Sequence, residues 1–233
     1  MRFPKINKKV KIGLIAILTV ISLILIFNQP IKSGLIHSFR PEISAQSMEK
    51  NKNAKATYDF GQVKKLTMSN VAAARANAKD LKIIGVISIP ADDITLPISK
   101  GITNRNLALS AGTFRPDMKM GEGNYALAGH NMANLGSKVL FSPLYYKGKV
   151  GQMVYITNLK KVYVYKITQK QIISKYATQV VANTPNQRIL TLITCDETGA
   201  QRLMVRGKYV KAMDYHHAPA SVRKALSQKY NVK

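Results

Sequence analysis

Apolar and polar positions fall into three textures along this chain. The first is an unbroken apolar run. Ile12 to Ile31 carries no charge, and Ile12 to Phe27 is almost wholly Ile, Leu, Val and Ala. Spanning a bilayer core takes about 20 apolar residues, so the run predicts a transmembrane helix over 12–31. Arg2, Lys5, Lys8, Lys9 and Lys11 precede it, and cations on one flank mark the cytoplasmic side. Residues 1–11 are therefore expected in the cytoplasm and the remainder outside. A cleaved leader needs a small-x-small site soon after Phe27, and Ile43-Ser44-Ala45 is late and poor. An uncleaved signal anchor is the expectation.

The second texture, 32–80, is polar and shows no strand alternation. It reads as a stalk that ends in a helix over Thr67 to Leu81, rich in Ala and capped by Ser69 or Asn70. The third begins at Leu81, where short β-branched runs are punctuated by turn residues: 82–90, 94–99, 123–130, 149–158, 161–173, 188–195 and 202–210. Tyr163, Tyr165 and Ile167 alternate with Val162, Val164 and Lys166 around a hairpin at Leu159-Lys160. Residues 188–195 are apolar on both faces, as in a central covered strand. About eight short strands predict a mainly-β domain over 81–233, an antiparallel or mixed eight-stranded β-barrel with short helices. Its tail, 218–233, has Val222, Ala225, Leu226 and Tyr230 on one side of an amphipathic helix.

Charge adds a partner class. Thirty-six Lys and Arg face eleven Asp and Glu, a formal net charge of +25, and such a surface attracts polyanions. Outside a membrane this argues against nucleic acid and for the anionic envelope, or for a generally solvated basic surface. There is one cysteine, Cys195, so no intramolecular disulfide forms and a lone thiol is either an inert core residue or a nucleophile.

Cys195 ends one strand and Arg202 begins the next, after the connection Asp196 to Gln201. Paired as a hairpin, the two side chains face each other, with cross-strand neighbours roughly 5 Å apart. A guanidinium there favours thiolate, lowering the thiol pKa from about 8.5, and its fork can hold an oxyanion. Taken alone, the pair fits better a buried cysteine beside a surface arginine. His130, at the end of the Tyr125–Gly129 run, fits a solvated strand end or a proton-transfer group. His216 and His217 look like tail surface. Metal ligands in company are absent from the pattern, Gly121-Glu122-Gly123 lacks the third glycine of a phosphate loop, and no cofactor is expected.

Together these segments resemble the sortases. Thr191-Leu192-Ile193-Thr194-Cys195 resembles their T-L-x-T-C signature, and Arg202-Leu203-Met204-Val205-Arg206-Gly207 the strand bearing their arginine. Met120 to Met132 is similar to the histidine segment of class A members, and 85–90 with 94–98 to their opening strands. The resemblance implies a sortase-type barrel on the outer face of a Gram-positive membrane. It implies a cysteine transpeptidase that cleaves the Thr-Gly bond of Leu-Pro-x-Thr-Gly signals on surface proteins and joins them to a peptidoglycan-precursor amine. In that reading Cys195 is the nucleophile, Arg202 holds the oxyanion, His130 moves protons, and Ala128 and Thr194 border the substrate groove. Arg206 shares the face of Arg202, but Arg202 starts the strand beside Cys195 and matches R-x-x-V-x-G. Pilin-polymerising relatives carry an Asp-Pro-aromatic lid, and Asp-Pro occurs nowhere here. A non-enzymatic, anchored wall-binding barrel is the third reading. Calcium activates some class A members through clustered carboxylates. This chain offers only Asp117 and Glu122 between Leu107 and His130, and none from Lys147 to Arg188, so no calcium site is expected.

Overall fold

The computed structural model describes residues 7–132, 138–196, 198–228 and 230–232. Arg2 and Lys5 of the cationic flank lie outside them. The apolar run forms α1 (Lys8–Ile26), capped by the Asn7 side chain, and none of its residues is buried. At 1.5 Å per residue its 19 residues reach about 28 Å. Among the described residues α1 is the one helix long and apolar enough to cross a membrane.

Past Phe27 the chain turns into α2 (Asn28–His37), β1 (Glu42–Ile43), α3 (Ala45–Lys52) and α4 (Met68–Ala76). This stretch departs from the expected stalk. Ile36, Phe39, Ile43, Met48, Val71 and Ala74 are buried in the barrel's own apolar cluster, and Lys32 lies buried with its Nζ donating to Leu66 O at 3.3 Å. Thr67, not Ser69 or Asn70, caps α4, accepting from Asn70 N. The helix stops at Asn77 because the Asn77 amide turns back to donate to Ala73 O, and a 3₁₀ turn over Ala78–Asp80 follows.

Eight strands close the barrel: β2 (Ile83–Ile89), β3 (Ile94–Ser99), β4 (Ala111–Thr113), β5 (Asn124–Ala128), β6 (Met153–Thr157), β7 (Lys161–Ser174), β8 (Ile189–Cys195) and β9 (Gln201–Asp214). Around the barrel they run β2-β3-β4-β5-β8-β9-β7-β6. Three short helices sit in the connections and tail: α5 (Asn104–Leu109), α6 (Ser142–Tyr146) and α7 (Ala220–Ser227). The predicted hairpin is present, with Leu159 at φ +64° and the Asn158 carboxamide accepting from Lys160 N and Lys161 N. In α7 Val222 and Leu226 are buried, and β10 (Asn231–Val232) pairs parallel to β1.

Side chains of Tyr125, Leu127, Leu190, Leu192, Leu203 and Val205 fill the barrel. By strand alternation, Asn124, Ala126 and Ala128 on β5, Thr191, Ile193 and Cys195 on β8, and Arg202, Met204 and Arg206 on β9 share the outward face. Register confirms the set, with Ala128 opposite Ile193, Ile193 opposite Met204, and Thr191 opposite Arg206.

Candidate active site

Three chain segments meet at one rim of the barrel. Cys195 is the last residue of β8 and Arg202 the second of β9, and they are direct cross-strand partners. This is the pairing expected of the hairpin. His130 arrives from the other side. β5 runs parallel to β8 with Ala128 opposite Ile193, and the Gly129 amide carries the ladder one step further by donating to Ile193 O at 3.0 Å. Continued two positions past Ala128 and Ile193, that register leads His130 toward the level of Cys195. Gly129 is required for packing, because a Cβ there would stand 2.4 Å from the Phe141 ring. Phe141 N in turn donates to His130 O at 3.0 Å, tying down the histidine backbone.

Asn131, which sequence reasoning passed over, donates through Nδ2 to Cys195 O at 3.0 Å. It locks the histidine segment to the end of β8. Its position next to His130 was the signal available. Phe60 was also missed: its ring lies 5.7 Å from the Arg202 guanidinium carbon and 5.3 Å from the Phe114 ring. Nothing in the local pattern connects residue 60 to residue 202; only the docking of the N-terminal segment does.

The electrostatics correct one expectation. Cys195 is half-buried, and burial pushes its thiol above the ordinary value; Arg202 pulls the other way but does not win. His130 is 8% exposed, and burial lowers its pKa to about 4. The resting site therefore holds a thiol and a neutral imidazole, with Arg202 opposite the thiol. Arg202 Nη1 donates to Gly199 O at 3.0 Å and Gln201 O at 2.8 Å, which holds the fork at the rim. Its buried Nε has no partner among the described residues. A neutral base, a thiol and an unsaturated guanidinium are the parts needed for acyl transfer through sulfur.

Ala128 is buried and packs with Ile102 and Leu107 in a second small apolar cluster, against which Phe60, Val63 and Phe114 lie. Thr194 is buried on the opposite face of β8 from Cys195, its Oγ1 without a partner among the described residues. Among those residues no group of three or more His, Cys, Asp or Glu could hold a metal ion.

Comparison with known proteins gives the family of this barrel. The Sortase domain model matches residues 87–210. Sortase A of Streptococcus agalactiae serotype III is 38% identical over 227 residues, covering 94% of this chain and 92% of the relative. Sortase A of Listeria monocytogenes serovar 1/2a is 37% identical over 186 residues, 78% of this chain and 82% of its own. The solved structure of a Listeria monocytogenes sortase A superposes with a TM-score of 0.56 at 32% identity, covering 65% of this chain and 99% of that one. With a shared domain, a shared barrel and relatives matched over most of its length, the chain belongs to the sortases, as a transpeptidase of class A.

Proposed function

We propose that this transpeptidase cleaves the Thr-Gly bond of Leu-Pro-x-Thr-Gly signals on surface proteins and transfers the acyl part to an amine of a lipid-linked peptidoglycan precursor. The register that sets Cys195 opposite Arg202 is the observation that supports the reading, and His130 follows the strand that pairs with β8. As the Cys195 sulfur attacks the threonine carbonyl, its proton passes to the neutral His130. Arg202 stabilises the oxyanion. When the C–N bond breaks, the His130 imidazolium gives its proton to the departing glycine amine, and the acyl group stays on sulfur as a thioester. The incoming amine then attacks and His130 takes its proton; as the C–S bond breaks, the imidazolium passes that proton to the departing sulfur and restores the thiol. Because the resting pair is uncharged, the ion pair forms only as the bond does, with Arg202 placed to favour the anionic side.

In this reading α1 sits in the bacterial membrane with its N-terminus cytoplasmic and the barrel outside. The test uses the full chain in detergent micelles, a panel of Leu-Pro-x-Thr-Gly peptides and amine acceptors, with products read by mass spectrometry. Ligation after threonine and an acyl adduct on Cys195 are expected. Cleavage at another bond, or ligation with no adduct on Cys195, overturns it.

A further inference from the structure

The rim that carries Cys195 and Arg202 has a neighbour from far back in the chain. Residues 57–66 run over the small apolar cluster of Ile102, Leu107 and Ala128, against which Phe60 and Val63 pack. This segment is pinned at both ends. Ile102 N donates to Thr57 O at 2.6 Å, and Gly101, at φ +79°, leaves room for that carbonyl, since a Cβ there would stand 2.5 Å from it. Lys64 N donates to the Asn104 carboxamide oxygen at 2.8 Å, and Leu66 O accepts from the buried Lys32. Between the pins the Asp59 carboxylate caps a 3₁₀ turn over Phe60–Gln62, accepting from Gly61 N at 2.9 Å. Val63 N returns to Phe60 O at 3.1 Å. The turn fixes the Phe60 backbone, and the Phe114 ring, 5.3 Å away and tilted by 39°, supports its side chain.

What the Phe60 ring meets is Arg202. The guanidinium carbon lies 5.7 Å from the ring centroid, inside the reach of about 6 Å at which a ring face attracts a cation. The other restraints on the fork are one-sided. Nη1 donates to Gly199 O and Gln201 O, both in the hairpin turn that Arg202 itself closes. Nε is buried without a partner, and Nη2 has no hydrogen bond among the described residues. Nε and Nη2 form the edge of the guanidinium that offers two parallel donors to oxygen. Bonds at Nη1 alone leave the plane free to tilt about that corner, whereas a ring against one face removes the tilt without using a donor.

We propose that Phe60 is a positioning residue of the active site, whose ring holds the Arg202 fork so that its Nε–Nη2 edge meets the oxyanion. The inference rests on the reading of Arg202 as the group that stabilises that oxyanion. A hydrogen-bonding side chain in the place of Phe60 would compete for the donors the oxyanion needs; an aromatic face does not. The same segment also reaches the thiol. Burial pushes Cys195 up, and against it the Lys65 ammonium pulls in the same direction as Arg202. Residues that precede the barrel in sequence therefore complete its catalytic rim.

The test uses the full chain in micelles with a Leu-Pro-x-Thr-Gly peptide and an amine acceptor. Phe60→Tyr keeps the ring and should stay within about twofold of wild type in both kcat and KM. Phe60→Leu keeps an apolar side chain against Phe114 and Val63 but has no ring. It should lower kcat about fivefold with KM within about twofold, and Phe60→Ala should lose about tenfold. The fork itself is read by NMR of arginine-labelled protein, with the Arg202 signals assigned by their absence in Arg202→Lys. Separate Nη1 and Nη2 signals, the mark of a guanidinium that does not rotate freely, are expected in wild type and Phe60→Tyr. In Phe60→Leu they should merge. Separate signals in Phe60→Leu, or a wild-type kcat there, overturn the proposal alone. A rise in kcat/KM in Phe60→Leu also overturns it, because the segment would then be a cover over the site. If Arg202→Lys keeps full activity, the parent reading of Arg202 falls and this inference falls with it.

Discussion

The paired strands β5 and β8 end in two places that treat buried polar atoms in opposite ways. At the start of β5, Asn124 is buried and fully satisfied. Its Nδ2 donates to Val180 O and Ala182 O, and its Oδ1 accepts from Thr191. Arg115 adds bonds to Val181 O and to Asn124 O. At the Cys195 end, Thr194 Oγ1, Asn131 Oδ1 and Arg202 Nε are buried without partners among the described residues. Near Asn124 the Tyr125 hydroxyl and the Nε of Arg206, whose Nη2 is bonded, are also buried without partners among the described residues. Buried polar groups normally find partners. The Asn124 carboxamide therefore ties the barrel to residues 180–182, while Thr194, Asn131 and Arg202 at the Cys195 end keep hydrogen-bonding capacity unused.

The sharpest break between the two ends should appear in activity. Cys195→Ala should reduce both cleavage and transfer to background, since the chain has no other thiol; residual transfer measured by mass spectrometry would sink the covalent route. Arg202→Lys should cost about 10²–10³-fold in kcat/KM, because an ammonium cannot reproduce the planar fork. Arg206→Lys should stay within a few-fold, and reversed effects would exchange the two assignments. His130→Ala should be at least as damaging as Arg202→Lys.

Next in size is a pH effect on stability. His130 has a folded pKa of about 4 against an ordinary 6.5. Between those values the unfolded chain holds the extra proton, so stability present above pH 6.5 is lost as pH falls toward 4. The full span corresponds to about 3 kcal/mol. Denaturant titrations at pH 7.5 and 4.5 should show most of it in the wild type and not in His130→Gln. Equal slopes in the two proteins would mean that His130 is not held neutral.

Stability also separates the two ends directly. Asn124→Ala strands two carbonyls and the Thr191 hydroxyl and should cost about 2–3 kcal/mol. Thr194→Val removes a hydroxyl that has no partner and should change stability by less than about 1 kcal/mol. If thermal melts rank them the other way, polar satisfaction does not divide the strand pair as described.

The smallest effect expected is that of calcium. Asp117 pairs with Arg115 at 3.1 Å and Glu122 with Lys119 at 3.8 Å, so each of the two carboxylates before β5 already faces a cation. Initial transfer rates in millimolar calcium and in chelator should agree within about twofold, less than 0.5 kcal/mol in the barrier. Tenfold stimulation at constant ionic strength would reveal ligands drawn from backbone carbonyls.

These contrasts also explain what could be read from residues alone. Cys195 and Arg202 were legible because a hairpin's register is local: six intervening positions fix the pairing. His130 needed a parallel partner 65 positions away, which spacing cannot reveal, and its placement rested on the resemblance. β4, only Ala111–Thr113, was not seen, because three residues carry no period and the strand exists by pairing with β3 and β5. The alternation expected from Val162 to Ile167 is blurred, since Val162, Val164, Tyr165 and Ile167 are all buried. The polar stretch 32–80 concealed its docking because its apolar anchors are spaced too widely to form a stripe. The direction of the thiol shift depended on a balance between burial and Arg202 that no sequence displays.

That docking has a consequence for where the enzyme can work. Phe27 alone separates α1 from α2, and α2 is fastened to the domain through buried Lys32 and Ile36. With α1 in a bilayer, the ten residues of α2, about 15 Å of helix, act as a short spacer and not as a slack tether. The catalytic rim then sweeps a thin layer at nearly constant height. Under the proposed function, tethered donors and acceptors would meet it by lateral diffusion at high local density, while free amines would compete from bulk solution. Replacing α2 with a long flexible linker would dissolve that layer into a volume and leave the chemistry of Cys195 untouched.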